Sequence, residues 1–151
     1  MRIENHIDVK AKPEYVWNYI SNPEKWLEFH PMLEKVEYVS EQHQGPGAAF
    51  KTTWRDIHGH ERTEEEKFVE WVENKKLSWV ASDGNNKENR IECTLAPLDG
   101  KDGMIRVTLS EESKDFDKPN VRIYAQGITD AVLSNLQKTI EKNSHSSSSS
   151  S

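Results

Sequence analysis

Hydrophobic and polar residues alternate along the first eleven positions of the chain. Apolar side chains at Ile3, Ile7, Val9 and Ala11 are separated by polar ones, and Asn5 is the one polar residue that falls in the apolar series. A period of two places alternate side chains on opposite faces of a β-strand. The pattern therefore predicts a half-buried first strand.

Two prolines predict short helices directly after this strand. Pro13 favours a helix that ends at Ser21, because proline is well suited to the first helical position. Asn22 and Pro23 have the residue types of an N-cap and a first helical position, and they predict a second short helix that ends at Phe29.

The stretch from residue 33 to residue 113 alternates strand-like segments with turn compositions rich in Gly, Asn, Asp and Pro. The predicted strands are Leu33–Ser40, Ala48–Ile57, Glu61–Glu73, Leu77–Asp83, Glu88–Ala96 and Met104–Glu112. The connections are short, and short connections join antiparallel neighbours because a parallel crossover needs about a dozen residues. The sequence predicts an antiparallel meander.

A long amphipathic helix is predicted at the end of the chain. Apolar residues recur every three or four positions from Pro119 to about Lys142, and Gly127 interrupts the helix interior. The serine-rich residues 144–151 are predicted to be a disordered tail, which leaves one domain of residues 1–143. A sheet with one apolar face and a single covering helix can curl around that helix and enclose a cavity. The predicted fold class is α+β.

Composition and charge exclude several classes of protein. The chain has 151 residues with 26 acidic and 20 basic side chains, and its net charge of −6 argues against a nucleic-acid or anionic-membrane surface. No apolar run reaches the roughly 18 residues of a membrane span, and the first residues lack the pattern of a secretory signal. Because Cys93 is the single cysteine, no internal disulfide is possible, and we expect a cytoplasmic protein.

A series of short motifs, spread in order over nearly the whole body of the chain, resembles one superfamily. These motifs are Ile7-x-Val9-x-Ala11-x-Pro13-Glu14-x-Val16-Trp17-x-x-Ile20-Ser21-Asn22-Pro23-Glu24, Trp26, His30-Pro31, Val36, Gly45-Pro46-Gly47-Ala48-x-Phe50, Lys75-Lys76-Leu77-Ser78-Trp79, Gly127 and Leu136-Gln137-Lys138-x-Ile140-Glu141. The chain resembles the START/polyketide cyclase-like superfamily (SRPBCC, helix-grip or birch-allergen-like), and within it the bacterial polyketide cyclase/dehydrase and lipid-transport group. The resemblance implies a curled seven-stranded antiparallel sheet around the C-terminal helix, with two short helices after the first strand and a ligand cavity between sheet and helix.

Large rings and apolar side chains on the inner strand faces and the last helix are the candidate cavity wall. They are Trp54, Phe68, Trp79, Cys93, Tyr124 and Ile128. From the residues alone, an ordinary filled core is the favoured interpretation of this pattern. The resemblance to the superfamily favours a real cavity.

Candidate acid–base residues are Glu66 and Glu70 on the acidic strand Glu61–Glu73, and His30 after the second short helix. Either face of that strand carries apolar residues, so the face that each glutamate occupies is ambiguous, and a β-bulge would switch it. A carboxyl that points inward would have a raised pKa and could act as a general base.

The sequence gives little support for a metal or cofactor site. His58-Gly59-His60 is typical of a solvated turn, and a metal site needs three or four converging ligands. We therefore expect no metal and no cofactor.

The leading functional hypothesis is the binding or transport of a hydrophobic small molecule, such as a lipid, a polyketide or an aromatic metabolite. The first alternative is a cyclase/dehydrase-type enzyme that uses a cavity carboxyl or a histidine as acid and base. The second is a co-chaperone-like protein-interaction module. Ligand identity and oligomeric state are left open by the sequence.

Overall fold

The computed structural model describes residues 1–83 and 88–149. The strands are β1 (Arg2–Lys10), β2 (Leu33–Tyr38), β3 (Ala49–Arg55), β4 (Glu61–Val72), β5 (Lys76–Ser82), β6 (Glu88–Pro97) and β7 (Met104–Glu112). The α-helices are α1 (Pro13–Ile20) and α2 (Pro119–Ser149), and 3₁₀ helices cover Pro23–Glu28 and Lys114–Asp117. All seven predicted strands are present, with ends that differ by at most two residues.

The strands form one antiparallel sheet in the order β1-β7-β6-β5-β4-β3-β2. Strands β2 to β7 follow one another as the predicted meander, because their connections are too short to cross the sheet. The first strand joins the far edge by pairing with β7, from Arg2 opposite Glu112 to Lys10 opposite Met104. The seven-stranded sheet and long C-terminal helix confirm the α+β helix-grip prediction.

The two short helices are anchored by buried aromatic side chains. Trp17 of α1 is 5% exposed, and the Trp26 indole Nε1 donates to the Ile20 carbonyl at 2.9 Å. Asn22 occupies the predicted N-cap position of the 3₁₀ helix, but its side chain makes no capping bond. Its Nδ2 donates instead to the Asn18 carbonyl at 2.6 Å, which ties the two helices together at their junction.

The sequence did not predict the turn of 3₁₀ helix between β7 and α2. Ser113 caps it by accepting a hydrogen bond from the Asp115 amide at 3.2 Å, and Phe116 is buried beneath it. The backbone of α2 is helical as far as Ser149, beyond the predicted end near Lys142. The division into a domain of residues 1–143 and a disordered tail stays a prediction.

Two side-chain amides fasten α2 to the first strand. Asn5 Nδ2 donates to the Gln126 carbonyl at 3.2 Å, and Gln137 Nε2 donates to the Asp8 carbonyl at 2.8 Å. The polar residue that interrupts the apolar face of β1 therefore pairs with the helix. No helix in the described ranges combines the length and apolar character that crossing a membrane requires.

Candidate functional site

A cavity of about 480 Å³ lies between the inner face of the sheet and α2. Its wall is mostly apolar and aromatic, and polar groups are concentrated on β3, β4, β6 and β7. The apolar and aromatic lining consists of Ile20, Trp26, Phe29, Met32, Trp54, Ile57, Trp79, Ala81, Ile91, Cys93, Leu109, Val121, Tyr124, Ala125, Ile128, Val132, Leu133 and Leu136. An apolar wall with a few grouped polar side chains is the usual make-up of a small-molecule site.

Exposed apolar side chains mark the entrance. Ile57 in the turn between β3 and β4 is 78% exposed, and on α2 Val121 and Tyr124 are 37% and 48% exposed. All three also line the cavity. Since the turn and the helix both contribute lining residues that solvent reaches, the cavity opens between them.

A β-bulge in β4 decides which acidic side chains face the cavity. Glu66 pairs with Ala81 and Phe68 with Trp79, and the register then shifts so that Glu70 pairs with Ser78. Before the bulge Glu66 points inward, whereas after it Glu70 points outward, where its Oε1 lies 3.3 Å from Lys76 Nζ. The ambiguity in the sequence pattern thus has a physical origin, because the extra residue reverses the alternation.

Glu66 lies at the end of a directed chain of hydrogen bonds. The residue is only 4% exposed, and its Oε2 accepts from Thr52 Oγ1 at 2.6 Å. Thr52 Oγ1 accepts in turn from the Trp54 indole Nε1 at 2.7 Å. An indole N–H can only donate, so the threonine hydroxyl hydrogen is free to point at Glu66. When Glu66 is protonated, this arrangement favours its proton on Oε1.

Two carboxyl groups of the cavity have strongly raised pKa values. Burial raises the pKa of Glu66 from 4.5 to about 8; the negative charges of Glu64 and Glu111 add to the rise, while hydrogen bonds from Thr52 and Trp79 oppose it. Burial also raises the pKa of Glu111 to about 7, helped by the charge of Glu64 and opposed by its hydrogen bond from Asn89. At neutral pH Glu66 is therefore mostly an uncharged acid.

His30 lies at the cavity as a neutral imidazole. Its Nδ1 accepts from the Met32 amide at 3.3 Å, and its ring packs edge-on against Trp54 with 4.5 Å between the ring centroids. Burial, with the nearby positive charge of Arg62, lowers its pKa from 6.5 to about 4. Because Nδ1 is an acceptor, the assigned tautomer carries its hydrogen on Nε2, which makes His30 a hydrogen-bond donor at neutral pH.

Five of the six predicted wall residues line the cavity: Trp54, Trp79, Cys93, Tyr124 and Ile128. Phe68 points to the same side of the sheet but is fully buried among other rings, with centroid distances of 5.3 Å to Phe50 and 6.2 Å to Trp79. Phe68 is therefore part of the packing behind Trp79. Burial raises the pKa of the Cys93 thiol to about 12, so it stays protonated and unreactive at neutral pH.

Sequence reasoning missed several lining residues. Trp26 comes from the 3₁₀ helix, and Glu64, Asn89 and Glu111 come from the strands. Glu111 continues the alternation of Ile105, Val107 and Leu109, so period two alone places it inward. The negative charge of Glu111 instead predicted an outward position, since unpaired acidic side chains are seldom buried.

The histidines in the turn between β3 and β4 have a structural explanation. The Asp56 carboxylate accepts hydrogen bonds from the backbone amides of His58 and His60, both at 2.9 Å. This arrangement is an Asx-type turn. In the part of the chain that the structure describes, no three His, Cys, Asp or Glu side chains converge as a metal site.

Comparisons with known proteins identify the family. Residues 1–141 match the family model described as "Polyketide cyclase / dehydrase and lipid transport". No curated protein matches the sequence.

Among solved structures, TTHA0849 from Thermus thermophilus is 15% identical with a TM-score of 0.78, over 95% of this chain and 99% of that one. A START superfamily protein from Mycobacterium smegmatis is 14% identical with a TM-score of 0.77, over 93% and 97%. The Zhui aromatase/cyclase from Streptomyces sp. R1128 is 14% identical with a TM-score of 0.76, over 94% of each chain. At these identities the structures share the fold, and the family match over nearly the whole body of the chain shows that this protein belongs to the polyketide cyclase/dehydrase and lipid-transport family.

Proposed function

We propose that the protein binds or carries a hydrophobic small molecule in the cavity between its sheet and α2. The observation that carries this proposal is a cavity of about 480 Å³ with a largely apolar wall and an entrance edged by exposed apolar side chains. Cavities of roughly 300–1,000 Å³ are typical of small-molecule sites. The family description, which names lipid transport, supports the same function.

The energetics favour a ligand with an apolar body. Removing apolar surface from water contributes about 25 cal/mol per Å², so affinity would come from burial against rings such as Trp26 and Trp79. Orientation would come from the few polar groups, chiefly Glu66 on β4 and the Nε2 hydrogen of His30.

Binding is tested by titrating the protein with N-phenyl-1-naphthylamine, a neutral apolar probe that fluoresces on leaving water. We expect saturable binding at one site, and we expect Ala125→Trp to abolish it because Ala125 lines the cavity and the indole would occupy the space. The matched control is Ile123→Trp on the same helix, where Ile123 is 66% exposed. Absence of saturable binding, or equal binding by both variants, would exclude the cavity as the site.

Native mass spectrometry of protein purified from its own host provides an independent measurement. A copurified small molecule that is retained by Ile123→Trp and lost from Ala125→Trp would identify the ligand. Ala125 and Ile123 lie two residues apart on α2, so expression and handling effects are matched.

A second candidate function is catalysis of the cyclase/dehydrase type, and the specific observation that favours it is Glu66. A buried acid with a pKa of about 8 holds a proton at neutral pH and can give it to a carbonyl or hydroxyl oxygen of a bound substrate. If a poly-β-ketone thioester is turned over, Glu66→Gln should abolish turnover while folding persists. Glu70→Gln, on the outer face, should retain the activity, and full activity in Glu66→Gln would exclude this role.

A further inference from the structure

The polar end of the cavity has more carboxyl groups than positive charges. Three acidic side chains, Glu64, Glu66 and Glu111, line it from β4 and β7. In the described lining the cationic side chains are two arginines, and both are already paired. Arg62 Nε lies 3.0 Å from Glu64 Oε1, and Arg55 contacts Glu34 at 2.6 Å and Glu61 at 2.9 Å.

Glu66 is consequently left without a cation, and the positive charge near Glu111 is that of Arg62, which Glu64 already pairs. Their contacts are with neutral donors, Thr52 Oγ1 at 2.6 Å for Glu66 and Asn89 Nδ2 at 3.2 Å for Glu111. Of the other titratable side chains in the lining, Asp56 and His58 lie in the turn between β3 and β4 at the entrance, α2 contributes only Tyr124, and His30 is neutral. A positive charge from a ligand would meet no competing cation at Glu66.

Aromatic faces form a second, independent feature of the same cavity. The rings of Trp26, Trp54, Trp79 and Tyr124 line it, and Trp26 and Trp79 lie together with 5.1 Å between their centroids. Ring faces attract cations, and aromatic walls beside an acid are the surroundings that ammonium groups prefer in proteins. The Arg62 guanidinium already lies over the Trp54 ring at 5.9 Å, at the rim.

The sheet also leaves room beside Glu66. Its neighbour on β5 in the same row of the inner face is Ala81, and the next residue in that row is Asn89 on β6. The methyl group of Ala81 lines the cavity, whereas a larger side chain would fill the space next to the carboxyl. A small polar headgroup can therefore reach Glu66 from within the cavity.

We propose that the ligand is a hydrophobic amine, with its protonated nitrogen beside Glu66 and its apolar body against the tryptophan rings. This inference rests on the proposed binding function and names the chemical class of the ligand. Glu64 and Glu111 add negative potential at the same end of the cavity, so an anionic ligand such as a fatty acid carboxylate is disfavoured there.

The proton balance gives the proposal a distinctive signature. Glu66 is mostly protonated at pH 7, and a bound ammonium group favours the carboxylate, so the carboxyl proton leaves to the buffer as the ion pair forms. Binding of an amine should release about one proton per site, because Glu66 gives up its proton and Glu111 contributes a further fraction. A neutral ligand of the same shape should release none.

The experiment compares three probes with the same ring: 2-(1-naphthyl)ethylamine, 2-(1-naphthyl)ethanol and 1-naphthylacetate. By titration calorimetry at pH 7 we expect the amine to bind on the order of tenfold more tightly than the alcohol, and the carboxylate most weakly. Only the amine should give an apparent enthalpy that is more exothermic in Tris than in phosphate, because Tris takes up the released proton with more heat.

Variants test which carboxyl group is responsible for the amine preference and for the proton release. Glu66→Gln should remove both the preference for the amine and the dependence on buffer, whereas Glu70→Gln on the outer face should leave both unchanged. Glu111→Gln, a second variant in case Glu66→Gln misfolds, should reduce the preference to a smaller extent. Circular dichroism verifies folding in each case.

The outcomes separate the two proposals. Equal binding of amine and alcohol, or an amine preference that persists in both folded cavity variants, overturns the amine assignment and leaves the binding function standing. Failure of all three probes to bind overturns both. An amine preference with proton release that depends on Glu66 supports both.

Discussion

The two ends of the inner sheet face differ in packing although they share the same strands and the same covering helix. At one end Leu77, Leu95 and Val107 are at most 6% exposed, and Ile140 of α2 is fully buried against this core. At the other end Glu66 and Glu111 face a cavity, and Tyr124 of α2 is 48% exposed. From Val121 to Leu136 the helix forms one wall of the cavity, whereas around Ile140 it is buried in the core.

This difference means that one end contributes mainly to stability and the other to binding. The packed end, around Leu77 and Ile140, supplies the buried apolar surface that holds the sheet and helix together. The open end carries polar groups whose burial is unfavourable in the absence of a ligand, Glu66 above all. The three predictions below test this difference.

The largest effect is expected from Leu77→Ala in the packed end. Leu77 is fully buried, so the substitution leaves a new cavity and should lower the free energy of unfolding by about 3 kcal/mol, within the usual 2–5 kcal/mol. Ile128→Ala in the open end should cost about 1 kcal/mol or less, because Ile128 borders a cavity that already exists. Urea unfolding measures both, and similar losses would show that the two ends are packed alike.

The second prediction concerns how the free energy of unfolding depends on pH through Glu66 at the open end. The pKa of Glu66 is raised from 4.5 to about 8, so the folded protein holds a proton that the unfolded chain gives up between those values. Stability from this group is fully present below about pH 4.5 and is lost as pH rises through 8. Between pH 5 and pH 9 the wild type should lose on the order of 3 kcal/mol more than Glu66→Gln, which keeps an uncharged isostere.

Urea unfolding of both proteins across that pH range checks this prediction. Subtracting the variant from the wild type removes the contributions of the other titratable groups, apart from their coupling to Glu66. Parallel pH curves for the two proteins would mean that the Glu66 carboxyl is not held in a poorly solvated position.

The sequence determined the fold well because its local signals agree with one another. Pro13, Pro23 and Pro119 each stand at the start of the helix that the sequence predicted for them. The strands have period-two alternation, and their short turns permit only a meander. The pairing of β1 with β7 is a long-range contact that no local pattern specifies.

The site was less predictable because it depends on exceptions to local rules. The bulge after Phe68 places Glu66 and Glu70 on opposite faces of the sheet, and no residue type in that stretch indicates a bulge. Glu111 follows the inward alternation of β7, yet its charge argues for the surface. The hydrogen-bond chain from Trp54 through Thr52 to Glu66 needs the three-dimensional positions of all three side chains.

The smallest effect is expected at Gly127, on the part of α2 that lies over the cavity. Nothing lies within 4 Å of the position that a methyl group would take there, and the helix gains from alanine because glycine costs more conformational entropy. Gly127→Ala should therefore raise the free energy of unfolding by about 0.5–1 kcal/mol.

Gly59 is a matched control with equally open surroundings but a φ of +81°, where alanine is strained, so Gly59→Ala should lower stability. Thermal unfolding distinguishes the two signs. A loss of stability in Gly127→Ala would mean that the first turns of α2 lie closer to the sheet than an open cavity allows.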